Sequence, residues 1–82
     1  MDLCLRHGAV TLGIELKVWR DGEPDPLAEG LEQLDSYLAG LGLKNGWLVI
    51  FDRHTGQPPI RERTSSSEKQ SSQGRRITAV RA

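Results

Sequence analysis

Hydrophobic and polar residues alternate along the start of the chain, which is the pattern of β-strands with one buried face. The alternation is most regular over residues 10–19, where every second position from Val10 onward is apolar. Residues 2–6 alternate in the same way, and the intervening His7-Gly8 pair is typical of a turn. Because the two segments are so close in sequence, we expect them to form a β-hairpin.

A leucine repeat further along the chain predicts an amphipathic helix. The leucines follow one another at intervals of four, three, four and three, which places these residues on one face: Leu27, Leu31, Leu34, Leu38 and Leu41. Asp25 suits the N-cap, Pro26 suits the first helical position and Gly42 suits a left-handed end, for a helix of about 16 residues. Gly30 and Gly40 each cost a helix about 1 kcal/mol relative to alanine, so we expect close packing at both.

The second half of the chain contributes further strands and a polar segment. Residues 47–51 are apolar on both faces, as in a central strand covered on two sides, and the preceding helix should make the strand at 47–52 parallel to 10–19. Serine-rich residues 64–74 predict a mobile loop, and 76–81 predict a short edge strand. The expected fold is α/β: one domain over 1–82, with a small mixed sheet, a β-hairpin, one crossover helix and a parallel central strand.

Composition restricts the class of protein. A chain of 82 residues allows one small domain, and a single cysteine, Cys4, excludes an internal disulfide framework or a Cys-based zinc site. The longest apolar run is too short to span a bilayer and no secretory signal is visible, so the cytoplasm is the expected location. The net charge of zero hides a split of −5 over residues 1–52 and +5 over residues 53–82. The basic half either contacts phosphates or offsets the acidic half across a dimer.

Candidate chemistry lies on the first hairpin. Glu15 and Lys17 are two residues apart on a strand and share a face, which we expect to lie opposite the face that packs on the helix. Asp2, in the preceding strand, is placed to reach the same region. Two converging carboxylates suit a hard cation such as Mg²⁺, and the lysine would neutralise charge on a phosphoryl group under attack. The alternative is a solvated Glu–Lys pair with a weak interaction.

The helix adds two polar side chains on one flank of its leucine face. Gln33 and Tyr37 are four residues apart and therefore neighbours on the helix surface. Both carry hydrogen-bond donors that would contact a phosphate or support the site. The alternative is that Gln33 and Tyr37 are polar residues at the boundary of the core with no functional role.

Together these residues resemble the PD-(D/E)XK nuclease superfamily. Asp2, then Glu15-x-Lys17, then Gln33-x-x-x-Tyr37 is the resemblance, and the last element looks like the RecB-like branch. Longer segments are similar to nuclease-like domains of AAA-ATPase-like proteins, namely residues 14–20, 30–34, 37–38, 46–52 and 75–80. The chain begins at the strand with Asp2, so the resemblance implies a restriction-endonuclease-like core that lacks the family's first helix.

The resemblance also implies a function and a role for each residue of the motif. It implies Mg²⁺- or Mn²⁺-dependent hydrolysis of DNA phosphodiester bonds. The implied metal ligands are Asp2, Glu15 and the backbone carbonyl of Leu16, with Lys17 as the catalytic lysine and Gln33 and Tyr37 placing DNA. DNA is the implied partner, with an ATPase as a further partner or a lost domain. The alternative is a catalytically inactive or truncated module that dimerises or binds a partner or nucleic acid.

Overall fold

Five strands and one helix make up the residues that the computed structural model describes, which are 2–8, 10–53, 56 and 64–82. The elements in chain order are β1 (Asp2–His7), β2 (Val10–Trp19), α1 (Leu27–Leu41), β3 (Asn45–Asp52), β4 (Ser65–Gln70) and β5 (Arg76–Arg81). The strands form a mixed sheet in the order β1-β2-β3-β5-β4. β1 pairs antiparallel with β2, and β2, β3 and β5 run parallel. The predicted α/β class, hairpin and parallel crossover are therefore confirmed.

Helix α1 begins and ends where local backbone chemistry dictates. The Asp25 carboxylate accepts a hydrogen bond from the Leu27 N–H at 3.0 Å, which satisfies one donor of the first turn. Gly42 ends the helix with φ 71°, a left-handed conformation that glycine adopts without a Cβ clash. The helix is 15 residues long, close to the expected length, but it begins one residue later than predicted, because Pro26 is the N-cap and Leu27 is the first helical residue. Within the described residues, no helix has the length and apolarity needed to cross a membrane.

The hydrophobic core lies between α1 and one face of the sheet, called the helix face below. Its fully buried side chains come from α1, β3 and β5: Leu34, Leu38, Leu48, Ile50 and Ile77. Gly13 and Gly46 leave a notch for Leu38, since a Cβ on Gly13 would lie 2.5 Å from Leu38 Cδ2. Gly30 is equally tight against Leu48, as its position in the helix predicted. Gly40 has no neighbour within 4 Å, so the prediction of close packing there is wrong.

The helix packs on the opposite face of β2 from the one expected. Glu15 is in register with buried Leu48, and Lys17 with buried Ile50, so both charged residues lie on the helix face. The apolar row of β2 lies on the other side, called the outer face below. This prediction failed because β3 is apolar on both sides, and alternation alone does not indicate which side the helix covers. The helix covers the face that carries Gly13 and Gly46, where Leu38 fills the space left by the missing Cβ atoms.

Two predictions for the second half of the chain are also wrong. Residues 64–74 do not form a continuous loop, because Ser65–Gln70 is strand β4 and pairs antiparallel with β5. β5 therefore lies inside the sheet, and β4 is the edge strand. Every residue of β4 is exposed, so its sequence lacks the apolar positions by which strands are recognised. Its polar side chains suit an edge strand, which proteins protect from unwanted pairing in this way.

A buried ion pair joins the β4–β5 connection to the helix. Asp35 accepts hydrogen bonds from Ser71 Oγ at 2.8 Å and from Arg75 Nη1 at 2.7 Å. Arg75 Nε also donates to the Leu43 carbonyl at 3.0 Å. Burial by itself would raise the pKa of Asp35, but the hydrogen bonds from Arg75 and Ser71 and the charge of Arg75 outweigh it and hold the pKa below 3.8.

Ion pairs within the molecule join the acidic half of the chain to the basic half. Besides the Asp35–Arg75 pair, Arg81 Nη2 lies 2.9 Å from Asp25 Oδ2. The Arg81 guanidinium also lies over the Trp19 ring, 5.6 Å from its centroid. Two arginines of the basic half are thus engaged by the acidic half of the same chain.

Candidate active site

Strand β2 places an acid at the centre of the molecule. Glu15 lies on the helix face in the middle of the strand and is only 2% exposed. A carboxylate is rarely buried to this degree, because removing its charge from water carries a large free-energy penalty. Its location arises from the alternation of β2, which puts every odd-numbered residue under the helix. The predicted site residue is therefore buried between the sheet and the helix and is not a solvated side chain on an exposed strand face.

Lys17 lies next to Glu15 on the same face, near the first turn of the helix. Its Nζ is 3.9 Å from Glu15 Oε1 and 3.1 Å from Glu29 Oε1. The Lys17 side chain is 17% exposed, whereas that of Glu29 is 66% exposed. The ammonium therefore links a buried carboxylate to one at the surface.

The helix flank completes this group. Gln33 Nε2 donates to the same Glu29 oxygen at 3.0 Å, a contact between neighbouring turns. We call Glu15, Lys17, Glu29 and Gln33 the charged cluster. Tyr37 follows one turn later on the same flank and packs partly buried against the core. Gln33 is thus brought to Lys17 through Glu29, and Tyr37 lies further along the helix.

Asp2 and Leu16 are the remaining predicted ligands. The Cα of Asp2 is the direct cross-strand partner of the Cα of Glu15 in the β1–β2 register. The placement of the Asp2 side chain lies outside what the structure describes. Leu16 follows Glu15 on β2 and has its side chain on the outer face, half-buried. The backbone therefore sets Asp2 and Glu15 opposite each other, as the hairpin prediction required.

The oxygen donors near Glu15 determine whether a divalent cation fits the site. Among the described side chains, no group of three or more His, Cys, Asp or Glu is arranged to hold a metal ion. The described donor at the site is the Glu15 carboxylate, a hard oxygen ligand of the type Mg²⁺ prefers. Asp2 stands opposite it in register, and it would supply a second carboxylate. The donors fit Mg²⁺ or Mn²⁺ in kind.

Sequence reasoning missed Glu29 as a member of the site. The residue lies outside the leucine stripe, where charged residues of amphipathic helices are common and attract no notice. A signal was nonetheless present, because Glu29, Gln33 and Tyr37 follow one another at intervals of four and share a flank. Its significance depends on which sheet face the helix covers, and that face was assigned wrongly.

Comparisons with known proteins were made at three levels. No family model, no curated protein and no solved structure matches the chain. A functional assignment therefore depends on the residues of the charged cluster, on the register that opposes Asp2 and Glu15, and on the sequence motif that contains them.

Proposed function

We propose that this chain is a Mg²⁺-dependent nuclease domain of the PD-(D/E)XK type, which hydrolyses DNA phosphodiester bonds. The observation that carries the proposal is a lysine ammonium 3.9 Å from a buried carboxylate that stands opposite Asp2 in register. A buried acid beside a lysine, between a helix and a sheet, is the kind of arrangement found at catalytic sites. It coincides with the motif residues.

Each residue of the site has a role that follows from its position. Asp2 and Glu15, with the backbone carbonyl of Leu16, would hold the cation. When bound, Mg²⁺ polarises a phosphoryl oxygen and lowers the pKa of a coordinated water. The Lys17 ammonium would stabilise the negative charge that develops on the phosphoryl oxygens as the bond breaks. This role suits a lysine whose side chain is mostly, but not completely, shielded from water.

The helix flank would place the substrate. Gln33 and Tyr37 carry donors on the side of α1 that also carries Glu29. Hydrogen bonds from an amide and a phenol to phosphate oxygens fix the register of a strand without reading its sequence. The restriction-endonuclease-like core belongs to the same proposal, and the parallel β2–β3 pair with its helical crossover supports it.

The test is cleavage of plasmid and single-stranded DNA with Mg²⁺ or Mn²⁺. The wild-type protein should cleave, and EDTA should abolish the activity. Lys17→Ala should reduce the rate by about 100-fold or more, as expected for loss of a group that stabilises transition-state charge. Lys69→Ala is the matched control, because Lys69 is exposed on the edge strand β4. Circular dichroism confirms that each variant is folded.

Two results would overturn this proposal. One is wild-type protein with no cleavage above a buffer blank under either metal. The other is Lys17→Ala protein that is folded and cleaves as fast as wild type, which would identify the activity as a contaminant.

A second candidate function is favoured by the outer face of the sheet. Its apolar side chains come from four strands: Leu5, Leu12, Ile14, Leu16, Val18, Trp47, Val49, Phe51 and Val80. Leu5 is 52% exposed and Trp47 43% exposed, and no layer formed by the described residues covers this face. Trp47 was expected within a strand covered on both sides, so this exposure corrects that prediction. Such a surface is typical of an interaction site.

We propose a second copy of the chain as the occupant of the outer face. Four strands at about 4.8 Å spacing and about 20 Å in length present roughly 400 Å² in projection. Because side chains protrude from the sheet, their accessible area is larger than this projected area. It approaches the area of about 800 Å² that each partner buries in stable dimers. Two apolar sheet faces pack about 10 Å apart in β-sandwiches, and a net charge of zero brings no repulsion.

Sedimentation tests this dimer. The wild-type chain should sediment as a dimer at low micromolar concentration, and Leu12→Lys should shift it to a monomer because the charge would be buried at the contact. Lys69→Ala, on the edge strand, should leave the dimer intact. A wild-type monomer at this concentration would contradict the second function and leave the nuclease proposal standing.

A further inference from the structure

We infer that Glu29 is a positioning residue that draws the Lys17 ammonium away from Glu15, so that the ammonium does not compete with a divalent cation for the Glu15 carboxylate. The inference deepens the proposed nuclease function and rests on it. Glu29 itself is not placed on the cation or the substrate. It acts through Lys17.

The distances define the preference of the lysine. Lys17 Nζ is 3.1 Å from Glu29 Oε1, which is a hydrogen bond, and 3.9 Å from Glu15 Oε1, which is an ion pair without one. The ammonium thus bonds to the exposed carboxylate and stays at a distance from the buried one. Electrostatics alone would favour the reverse, because a charge pair in a buried environment interacts more strongly than one near water.

Gln33 holds Glu29 in place for this task. Its amide donates to the same Glu29 oxygen at 3.0 Å, so that oxygen receives one bond from the strand and one from the helix. A glutamate with 66% of its side chain exposed otherwise samples several rotamers at little cost. The two bonds fix its carboxylate beside the Lys17 ammonium.

Stability is a weak reason for this arrangement. Exposed ion pairs contribute little to folding, because solvent screens them and ordering two long side chains costs entropy. Glu29 is mostly exposed, so its pair with Lys17 belongs to this class. The geometry has a clearer consequence at Glu15: a lysine within hydrogen-bond distance would occupy the lone pairs that a cation needs.

Direct metal binding tests the inference without relying on activity. Mn²⁺ is titrated into the wild-type protein and into Glu29→Gln, and free Mn²⁺ is followed by electron paramagnetic resonance. Glu29→Gln should weaken Mn²⁺ binding by about tenfold, the scale seen when residues that orient a metal site from outside are removed. The control is Glu32→Gln, which removes an equal charge from the part of the helix that lines a cavity with Asp35 and Ser36. It should change the affinity less than twofold.

A double-mutant cycle separates competition by Lys17 from a general effect of charge. Lys17→Met alone should leave Mn²⁺ affinity near the wild-type value if Glu29 already holds the ammonium, whereas a general effect of charge would raise the affinity in both backgrounds. If Lys17 competes with the cation in Glu29→Gln protein, then Lys17→Met in that background should restore Mn²⁺ affinity to near the wild-type value. Restoration supports the inference. Failure to restore the affinity overturns it, as does wild-type affinity in Glu29→Gln or equal weakening in Glu32→Gln.

The two proposals fail in different ways. Wild-type protein that binds no Mn²⁺ and cleaves no DNA removes the nuclease function and this inference with it. Wild-type protein that binds Mn²⁺ and cleaves DNA, with Glu29→Gln indistinguishable from it in both assays, removes the role of Glu29 alone.

Discussion

Glu15 is the residue on which the account depends. A carboxylate buried to this extent in the middle of a strand lowers stability unless its charge is compensated, and Lys17 is a nearby compensating charge. Proteins retain unfavourably buried charged groups mainly at functional sites. The sequence predicted Glu15, Lys17 and Gln33 as site residues from spacing and motif. Neither spacing nor motif predicted that Glu15 and Lys17 would lie on the face of the sheet that the helix covers.

Two glycines of α1 give a matched test of the packing at single positions. A Cβ on Gly30 would lie 2.8 Å from Leu48 Cδ1, a fully buried side chain, whereas nothing lies within 4 Å of a Cβ on Gly40. Gly30→Ala should therefore lower the free energy of unfolding by about 1 kcal/mol, since overpacking exceeds the gain in helix propensity. Gly40→Ala should raise it by about 0.5–1 kcal/mol.

Urea unfolding at neutral pH measures both glycine variants. Opposite signs for the two are the expected result. Stabilisation by Gly30→Ala would mean that the helix does not approach β3 as closely as described.

At the scale of elements, a helix or strand was predicted correctly when it has one clearly apolar side. The hairpin, the helix and the parallel crossover were predicted because β2 and α1 each have one clear apolar side. β3 has two, so the face covered by the helix could not be read from alternation. β4 has none, because its partner is the backbone of β5, and pairing of that kind leaves no hydrophobic pattern.

The attachment of β4 and β5 to the helix should depend on pH through Asp35. Its pKa is lower in the folded protein than the ordinary 3.8, so the folded state binds this proton less readily than the unfolded chain. The stabilisation is complete above about pH 5 and is lost as the pH falls through the folded pKa. Asp35→Asn should lower the melting temperature at pH 7, and the gap to wild type should narrow as the pH falls below 3.8, the ordinary pKa of the group.

Thermal unfolding followed by circular dichroism at pH 3, 4, 5 and 7 measures this gap. Glu32→Gln changes an exposed residue one turn away. The difference between its melting temperature and that of the wild type should stay the same at every pH. A gap between Asp35→Asn and wild type that stays constant over this range would contradict the role given to the Asp35–Arg75 pair.

At the scale of the whole molecule, the sheet has two sides with different properties. One side carries the helix, the core and the charged cluster, and the other presents an apolar surface across four strands. Composition limits a chain of 82 residues to one small domain but does not indicate where its exposed apolar area lies. That depends on which face the helix covers, a property of the tertiary structure.

The most direct test of the central claim is a crystal structure of the chain with Mn²⁺, located by its anomalous scattering. A peak is expected about 2.0–2.6 Å from a Glu15 carboxylate oxygen, with the Asp2 carboxylate as a second ligand. An absence of Mn²⁺ at Glu15, or an Asp2 carboxylate too far away to share an ion with it, would contradict the claim and leave the α/β architecture without its proposed chemistry.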